Sequence, residues 1–331
     1  MAGSPPVNFG IRNVHQNIPL TNMSIGYHPT GLIADSVFAI MKVLHENDTY
    51  YKWDKGQAFR LERSDGFGSL RPDKSRPKML NFGATLDSYI AEEFALETGI
   101  SDRERANQDS SLMLEVAKTR RIQDLVLLDL EIRIANICIN TANNSGSVTN
   151  SGTSQWNNAS FASQTNGQHS VIKAQIETGK ESVRFATGGL LPNVIVLPRE
   201  VASVMYNDVG LADLVKYNSN NPQGSLLGDD FLPPSLWGMK VLIPSAIANN
   251  TVEGETYSGT SVWGKNVWMG YVNPNPGLDA LTYGLQLRSR EWQVKQYRDE
   301  FTDTVIYRPS IVQAEKLVAS DCGYLIKNAI A

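Results

Sequence analysis

The chain has 331 residues, of which 41% are hydrophobic and 19% charged, and a net charge of −4. That composition describes a folded globular chain, long enough for two domains or one domain with a large excursion, and excludes a disordered one. So mild a negative charge also excludes global attraction to nucleic acid or anionic membrane, and any basic function must be local.

The opening segment, MAGSPPVNFGIRNVHQN, lacks the apolar centre of a signal peptide. No apolar run reaches the ~18 residues of a membrane span. A protein made and kept in a cytoplasm is expected, and the N-x-S/T triplets at Asn22, Asn47, Asn143, Asn158 and Asn249 are then incidental. Cys138 and Cys322 lie in apolar surroundings (IANICIN and SDCGYLI) and read as buried, reduced thiols.

Residues 1–33 are polar, scattered with Pro, Asn and Gly, and read as an extended arm. ADSVFAIMKVL (34–44) is short and apolar on both faces. TYYKWDKGQAF (49–59) and MLNFGATLDSYIAEEFALETGI (79–100) are rich in aromatic and branched residues and predict the two arms of a long hairpin. Between them lies RLERSDGFGSLRPDKSRPK (60–78). It holds six basic residues, Arg60, Arg63, Arg71, Lys74, Arg76 and Lys78, against three acids, Glu62, Asp65 and Asp73. Three uses fit such a loop: a phosphate cradle, a nucleic-acid finger, or an arm that reaches another subunit.

Ser101-x-x-Glu104 forms a capping-box pattern, with a second polar start at Asp109 and Ser110. A helix of about 28 residues follows from Leu112, and at ~1.5 Å per residue it spans around 40 Å. Leu125, Leu128, Ile132, Ala135 and Ile139 line one face, widened by Val126, Leu130 and Ile137, while Glu131 falls largely outside that stripe with Arg120, Arg121, Asp124 and Arg133. No Asp, Glu, Lys or Arg occurs from Ile134 to Ile172, an Asn-, Ser-, Thr- and Gly-rich interval that reads as a surface excursion. A helix over 170–187, a buried strand NVIVLP (193–198) and a helix REVASVMYN (199–207) are expected next. Beyond Lys240 come mostly strands: KVLIPSAIA, VWGKNVWMGYV, TYGLQLR, REWQVKQYR, DTVIYRPS and EKLVASDCGYLI. The fold class is α+β, without a 20–50-residue repeat.

Familiar chemical motifs fail one by one. Gly259-Thr-Ser-Val-Trp-Gly264-Lys265-Asn266 imitates a phosphate loop but ends in Asn where Mg²⁺ needs a hydroxyl. A strand follows it where phosphate needs a helix N-terminus, so a turn between strands is expected. Gly66-Phe-Gly68 lacks the third glycine of a dinucleotide fingerprint. Ser75/Lys78 and Ser170/Lys173 match S-x-x-K without its companion motifs. His15, His28, His45 and His169 are far apart, and the acid pairs Glu92/Glu93 and Asp229/Asp230 read as solvated turns or strand edges. No catalytic residue, metal or cofactor is implied. For the basic loop, the interleaved acids leave an excess of three positive charges, and the aromatics are too sparse for a stacking platform. Docking on another protein suits it at least as well.

Four segments, in order and spread over most of the chain, resemble the major capsid proteins of tailed bacteriophages, the Hong Kong 97-type fold. GYHPTGLIADSVFAIMKV (26–43) with YYKWDKG is similar to the family's N-terminal segment. ISDRERANQDSSLMLEVAKTRRIQDLVLLDLEIRIANI (100–137) resembles its acidic lead-in and spine helix, down to Glu131 and Ala135. LLPNVIVLPREVASVMYN (190–207) looks like its Pro-Asn-strand-helix unit, and VWGKNVWMGYVNPNPGLDALTYG (262–284) like its V-W-G strand and Pro-Gly turn.

The resemblance implies an N-terminal arm (1–33) and a peripheral domain (34–159 and 286–331). That domain would carry an E-loop hairpin (about 49–85) and a spine helix (about 111–140), and an axial domain (160–285) would complete the fold. It implies a non-enzymatic coat protein that self-associates as hexamers and pentamers of an icosahedral head around double-stranded DNA. The protein would assemble in the host cytoplasm and reside in the virion, with no membrane partner. The intersubunit residues would be Arg60, Arg63, Arg71, Lys74, Arg76 and Lys78 of the E-loop. Some relatives begin with a helical scaffolding domain; the arm here starts almost at Met1, so either a separate scaffolding protein or a maturation protease trimming elsewhere is expected, with a portal and decoration proteins as further partners. Packaged DNA would be touched only by weak, non-specific contacts. Some relatives join an E-loop Lys to a neighbour's Asn; no partner Asn or catalytic Glu is identifiable here, and no cross-link is expected. Two other functions fit less of the sequence: an encapsulin-type shell around protein cargo, and a hydrolase or nucleotide-binding enzyme.

Overall fold

The structure, a computed structural model, describes residues 15–16, 20–21, 31–52, 71, 73–77, 85–107, 113–158, 171–206, 232–249, 251–252, 254–275 and 281–331. Its axis is the helix Leu114–Ile139. Thr119, Gln123, Val126, Leu127, Leu130, Glu131, Ile134, Ala135 and Cys138 are its buried positions. Their spacing of three and four places them on one side, so tertiary packing rather than propensity holds so long a helix. This is not the stripe expected from the sequence: Leu125 is 47% exposed and Glu131 is fully buried.

Two six-stranded sheets flank the helix among the described residues. The first is built on a long antiparallel hairpin, Gly284–Asp299 against Thr304–Leu317. Its 14-residue second arm extends about 46 Å at ~3.3 Å per residue. Ala39–Lys42 pairs in parallel with the first arm. Glu92–Ala95 and Thr98–Ser101 pair with the second. TYGLQLR and REWQVKQYR are therefore one strand, irregular in register around Arg288, Arg290 and Gln293. The irregularity aims Arg288 into the fold, where its guanidinium donates to Asp35 and Gln286, each at 2.7 Å.

The second sheet runs, in spatial order, Gly146–Thr149, Gly323–Lys327, Val267–Gly270, Val194–Val196, Met239–Leu242 and Ser235–Leu236. Both of its faces are covered, which explains the unbroken apolar run of NVIVLP. Val194, Val196, Trp268 and Leu325 meet the long helix on one side. Ile195, Met269, Tyr324 and Ile326 meet the helices Val171–Thr187 and Arg199–Tyr206 on the other. Gly179 lies where a Cβ would stand 2.7 Å from the Tyr324 ring and 2.8 Å from the Met269 sulfur. Its absence of a side chain is what lets the helix lie on the sheet.

The interval expected to be a surface excursion is largely structural where it is described. Its first part finishes the long helix, whose end is closed by amides: Asn143 Nδ2 donates to Ile137 O and Asn144 Nδ2 to Cys138 O, both at 3.0 Å. Its middle supplies the sheet strand Gly146–Thr149, and Trp156 is buried with its indole N–H on Gln175 Oε1 at 2.8 Å. Residues 159–170 lie outside the described set. The arm likewise contains packed pieces, since His15 and Gln16 pair with Gln296 and Lys295, and Leu20 and Thr21 are buried.

Cys138 and Cys322 are free and fully buried. Burial pushes both thiols up, Cys322 to about 12, which leaves them unreactive as nucleophiles.

One carboxylate joins these parts. Glu131 Oε2 accepts from the backbone N–H of Ile33 (2.9 Å) and Ala34 (2.7 Å), and Oε1 accepts from the Trp263 indole N–H (2.6 Å). Burial pushes the Glu131 pKa up, and the donors from Trp263, Ala34 and Ile33 pull against it. Glu131→Gln keeps the shape but must aim its NH₂ at a donor in either amide orientation. The isolated subunit is expected to lose about 2–4 kcal/mol, read by urea denaturation. Gly179→Val should cost about 1–3 kcal/mol in the same measurement through overpacking against Tyr324 and Met269.

Candidate assembly interface

The hairpin expected to carry the basic loop is present at its root. Asn47–Lys52 pairs antiparallel with Thr85–Ile90 as a two-stranded sheet of its own. The second arm expected over 79–100 is not one strand: it breaks into Thr85–Ile90, Glu92–Ala95 and Thr98–Ser101, which serve three different pairings. Ala91 and the Leu96–Glu97 step are the points where the chain changes partner.

An isolated two-stranded ribbon is marginally stable, so its attachment decides its direction. Alternation sorts the root by face. Tyr50 and Tyr89 are buried, while Leu86 and Ile90 are exposed. The Tyr50 hydroxyl lies 3.1 Å from Asp87 Oδ2 and 3.3 Å from Leu317 O, which ties the root to the end of the long hairpin. The Tyr89 hydroxyl donates to His45 O (3.0 Å), and Ala91 N–H to Glu46 O (2.7 Å). Burial, then the Asp87 charge, push the Tyr50 phenol up; the Ser88 N–H, then Tyr50, pull Asp87 down.

Of the six basic residues singled out in the sequence, Arg71, Lys74 and Arg76 are described and all are exposed. Arg71 Nε donates to Ser75 O across a tight turn, with Lys74 at φ 62° in the left-handed region. Arg60, Arg63 and Lys78 lie outside the described residues, as do Gly66 and Gly68. The structure therefore brings three of the six to one exposed turn.

Around the root, charged clamps missed in the sequence fix the surrounding strands. Arg133 donates to both carboxylate oxygens of Glu315 (3.2 and 3.0 Å), and its guanidinium lies 3.7 Å from the centre of the Phe94 ring. That joins the long helix, the long hairpin and the edge strand Glu92–Ala95 in one contact. The expected capping box is formed: Glu104 N–H donates to Ser101 Oγ (3.2 Å) and Ser101 N–H to Glu104 Oε2 (3.3 Å). Arg298 clamps Asp102 with two bonds, at 3.2 and 2.7 Å. The glycine-rich phosphate-loop imitation is a turn between Gly259–Ser261 and Val267–Gly270, with Gly264 at φ +57° and the Lys265 ammonium on Ala331 O. Among the described residues no group of three or more His, Cys, Asp or Glu could hold a metal ion. His28, His169, Asp109, Ser110, Asp229 and Asp230 lie outside them.

Asp87, Asp102 and Glu104 all titrate below their ordinary values of 3.8, 3.8 and 4.5, because hydrogen bonds to Ser88, Arg298 and Lys118 hold the charged forms. A depressed folded pKa contributes stability above the unfolded value and loses it as pH falls through the folded one. The subunit's melting temperature is therefore expected to be flat from pH 6 to pH 5 and to drop below about pH 4, by calorimetry across that series.

No family model matches the chain. Over 314 residues it is 25% identical to the major capsid protein of Burkholderia phage BcepMu, covering 93% of this chain and 95% of that protein. Over 349 residues it is 24% identical to the major capsid protein of Pseudomonas phage JBD67, covering 94% and 96%. Among solved structures, a phage-related protein from Bordetella bronchiseptica RB50 superposes with a TM-score of 0.67 at 23% identity, over 95% of this chain and 97% of its own. The mature capsid of bacteriophage PhiM1 superposes with a TM-score of 0.53 at 12% identity, over 91% and 88%. The solved structures establish the fold, and the likeness to the two sequence relatives runs across nearly the whole length. Over nearly its whole length the chain is similar to phage major capsid proteins, and it has the Hong Kong 97-type α+β fold.

Proposed function

We propose that this protein is the coat subunit of a phage head, resident in the virion, whose copies close into an icosahedral shell of hexamers and pentamers around double-stranded DNA. The observation that carries this reading is the end-to-end likeness to two phage major capsid proteins. The role is structural: association does the work, and no catalytic residue, metal or cofactor is required.

The parts follow from the same reading. Residues 49–85 form an E-loop laid across a neighbouring copy, carrying Arg60, Arg63, Arg71, Lys74, Arg76 and Lys78 to it. In support, the root of this hairpin is fixed by Tyr50 and Tyr89, while Leu86 and Ile90 face away from the subunit's own core. Residues 34–159 and 286–331 form the peripheral domain and residues 160–285 the axial domain, with Gly146–Thr149 and Gly323–Lys327 completing the axial sheet. Of the arm, 1–33, His15, Gln16 and Thr21 lie on the subunit's own long hairpin and Ile33 on the long helix, and the arm's role on this reading is to reach another copy. Individually weak contacts become cooperative in a closed shell. A separate scaffolding protein, a portal and decoration proteins are the other partners. A mildly acidic wall touches packaged DNA weakly, which spares packing and release.

Replacing Arg71, Lys74, Arg76 and Lys78 together by Gln is expected to abolish uniform hollow particles in negative-stain micrographs. The subunit's circular dichroism and melting temperature should stay close to wild type. Normal shells from that variant would overturn the E-loop assignment.

A further inference from the structure

The long hairpin passes through two separate cores. Over its inner half, Leu285, Leu287, Trp292, Ile311 and Val312 join the main core with the long helix. Toward its tip, Val294, Val305 and Tyr307 form a smaller core with Ile100 and Leu20, and Leu114 and Val116 pack against it. The elements that join the two cores do so through polar or irregular chain. On the first arm the register shifts between Arg290 and Gln293. On the second arm Ser310 is fully buried between Tyr307 and Ile311, and its hydroxyl meets no hydrogen-bond partner among the described residues. On the long helix the buried Thr119 and Gln123 lie between Val116 and Val126. The edge strands change over at Leu96–Glu97.

Polar contacts around the smaller core stay within it. Arg298 holds Asp102 with two bonds, and Asp102 N–H donates to Asp303 O at 3.0 Å. Arg105 donates to the Tyr307 hydroxyl at 3.1 Å, and the Lys118 ammonium to Gly99 O at 3.0 Å. One piece of this unit comes from far along the chain. Leu20, 6% exposed, is delivered by the arm, and Thr21 Oγ accepts the Val294 N–H at 3.1 Å. His15 and Gln16 pair with Gln296 and Lys295 on the same strand. A buried N–H stripped of its acceptor is costly, and so is a leucine removed from a core.

A small core bounded by buried polar groups opens separately from a larger one, because its apolar contacts stop at that boundary. We propose that the outer half of the hairpin is such a separately opening unit, and that His15, Gln16, Leu20 and Thr21 of the arm are the strap that holds it closed. Withdrawing the strap takes Leu20 from the core and the acceptor from Val294. The tip then loosens while the body of the subunit stays folded. The end of the hairpin that carries Phe301 fully in solvent therefore answers to where the arm lies. This is a property of the single subunit and does not rest on the shell reading.

The test is hydrogen exchange of the full-length subunit before assembly, read by mass spectrometry. In the wild type, segments 98–106 and 293–308 are expected to exchange faster than 194–197, 267–270 and 323–327. Leu20→Ala is expected to speed the first two segments about thirtyfold and to leave the other three unchanged. Thr21→Val keeps the shape, removes the acceptor, and is expected to speed the same two segments about tenfold. Equal rates across the wild-type segments, or a rise spread evenly over all five in a variant, overturn the separate unit. Wild-type rates in the first two segments of either variant overturn the strap. Should Leu20→Ala fail to fold, Thr21→Val decides alone by the same criterion. A subunit that passes this test yet never forms particles keeps the strap and loses the shell reading.

Discussion

Three parts of this subunit meet at one buried carboxylate. Glu131 sits about two thirds of the way along the long helix and takes donors from Ile33 and Ala34 on one oxygen and from Trp263 on the other. Those partners are 97 to 132 residues away along the chain. The contact therefore fixes the exit of the arm and the turn before Val267–Gly270 against the same turn of helix. A buried charge without partners costs several kcal/mol, whereas here both carboxylate oxygens accept hydrogen bonds. The geometry admits one arrangement of the three parts, which is specificity more than gross stability. It also gives the phosphate-loop imitation its reason: the turn exists to hand an indole N–H to Glu131.

Around that node the fold divides its strands between two tasks. Short strands, two to five residues each, build the second sheet, and its inner strands Val194–Val196 and Val267–Gly270 are buried throughout. Long strands build the projecting hairpin, whose tip carries Phe301 fully in solvent. The ribbon of Asn47–Lys52 and Thr85–Ile90 is a third kind of element, narrow and with its direction set by two tyrosine hydroxyls rather than by a core. A subunit arranged this way has a rigid centre and contacts held at a distance from it. That suits a shell in which the same chain meets neighbours at slightly different angles.

What the sequence made legible was local. The Ser101–Glu104 box, the extent of the long helix and the strand–helix unit after Pro192 need only neighbouring residues to specify them. The buried face of the long helix was hidden because Leu125, Leu128 and Ile132 also offer an apolar stripe, so a polar residue such as Glu131 looks like a marker of solvent. Its three donors lie far outside any sequence window. The Asn-rich interval misled for a related reason. Asn143 and Asn144 are spent on closing a helix end, and Gly-Ser-Val-Thr becomes a strand only because Gly323–Lys327 is there to pair with it. The charges at Arg288 and Arg290 read as a break between two strands; they mark a register irregularity within one strand, with Arg288 turned inward toward Asp35. Of the basic loop, the exposure of Arg71, Lys74 and Arg76 agrees with its composition.

The pairing of Gly146–Thr149 with Gly323–Lys327 has a consequence for synthesis. These strands are parallel and adjacent, yet well over a hundred residues of chain separate them. Trp156 N–H reaches Ala329 O, and Lys265 O accepts from Ala329 N–H, so the same late segment also seals both flanks of the sheet. The sheet cannot be finished while residues 323–330 are still inside the ribosome, and such distant pairing is slow to form. A nascent or truncated subunit thus lacks a completed second sheet. Polymerisation on the ribosome, the hazard of any protein that seeks itself at high concentration, is deferred by the order in which the sheet is threaded.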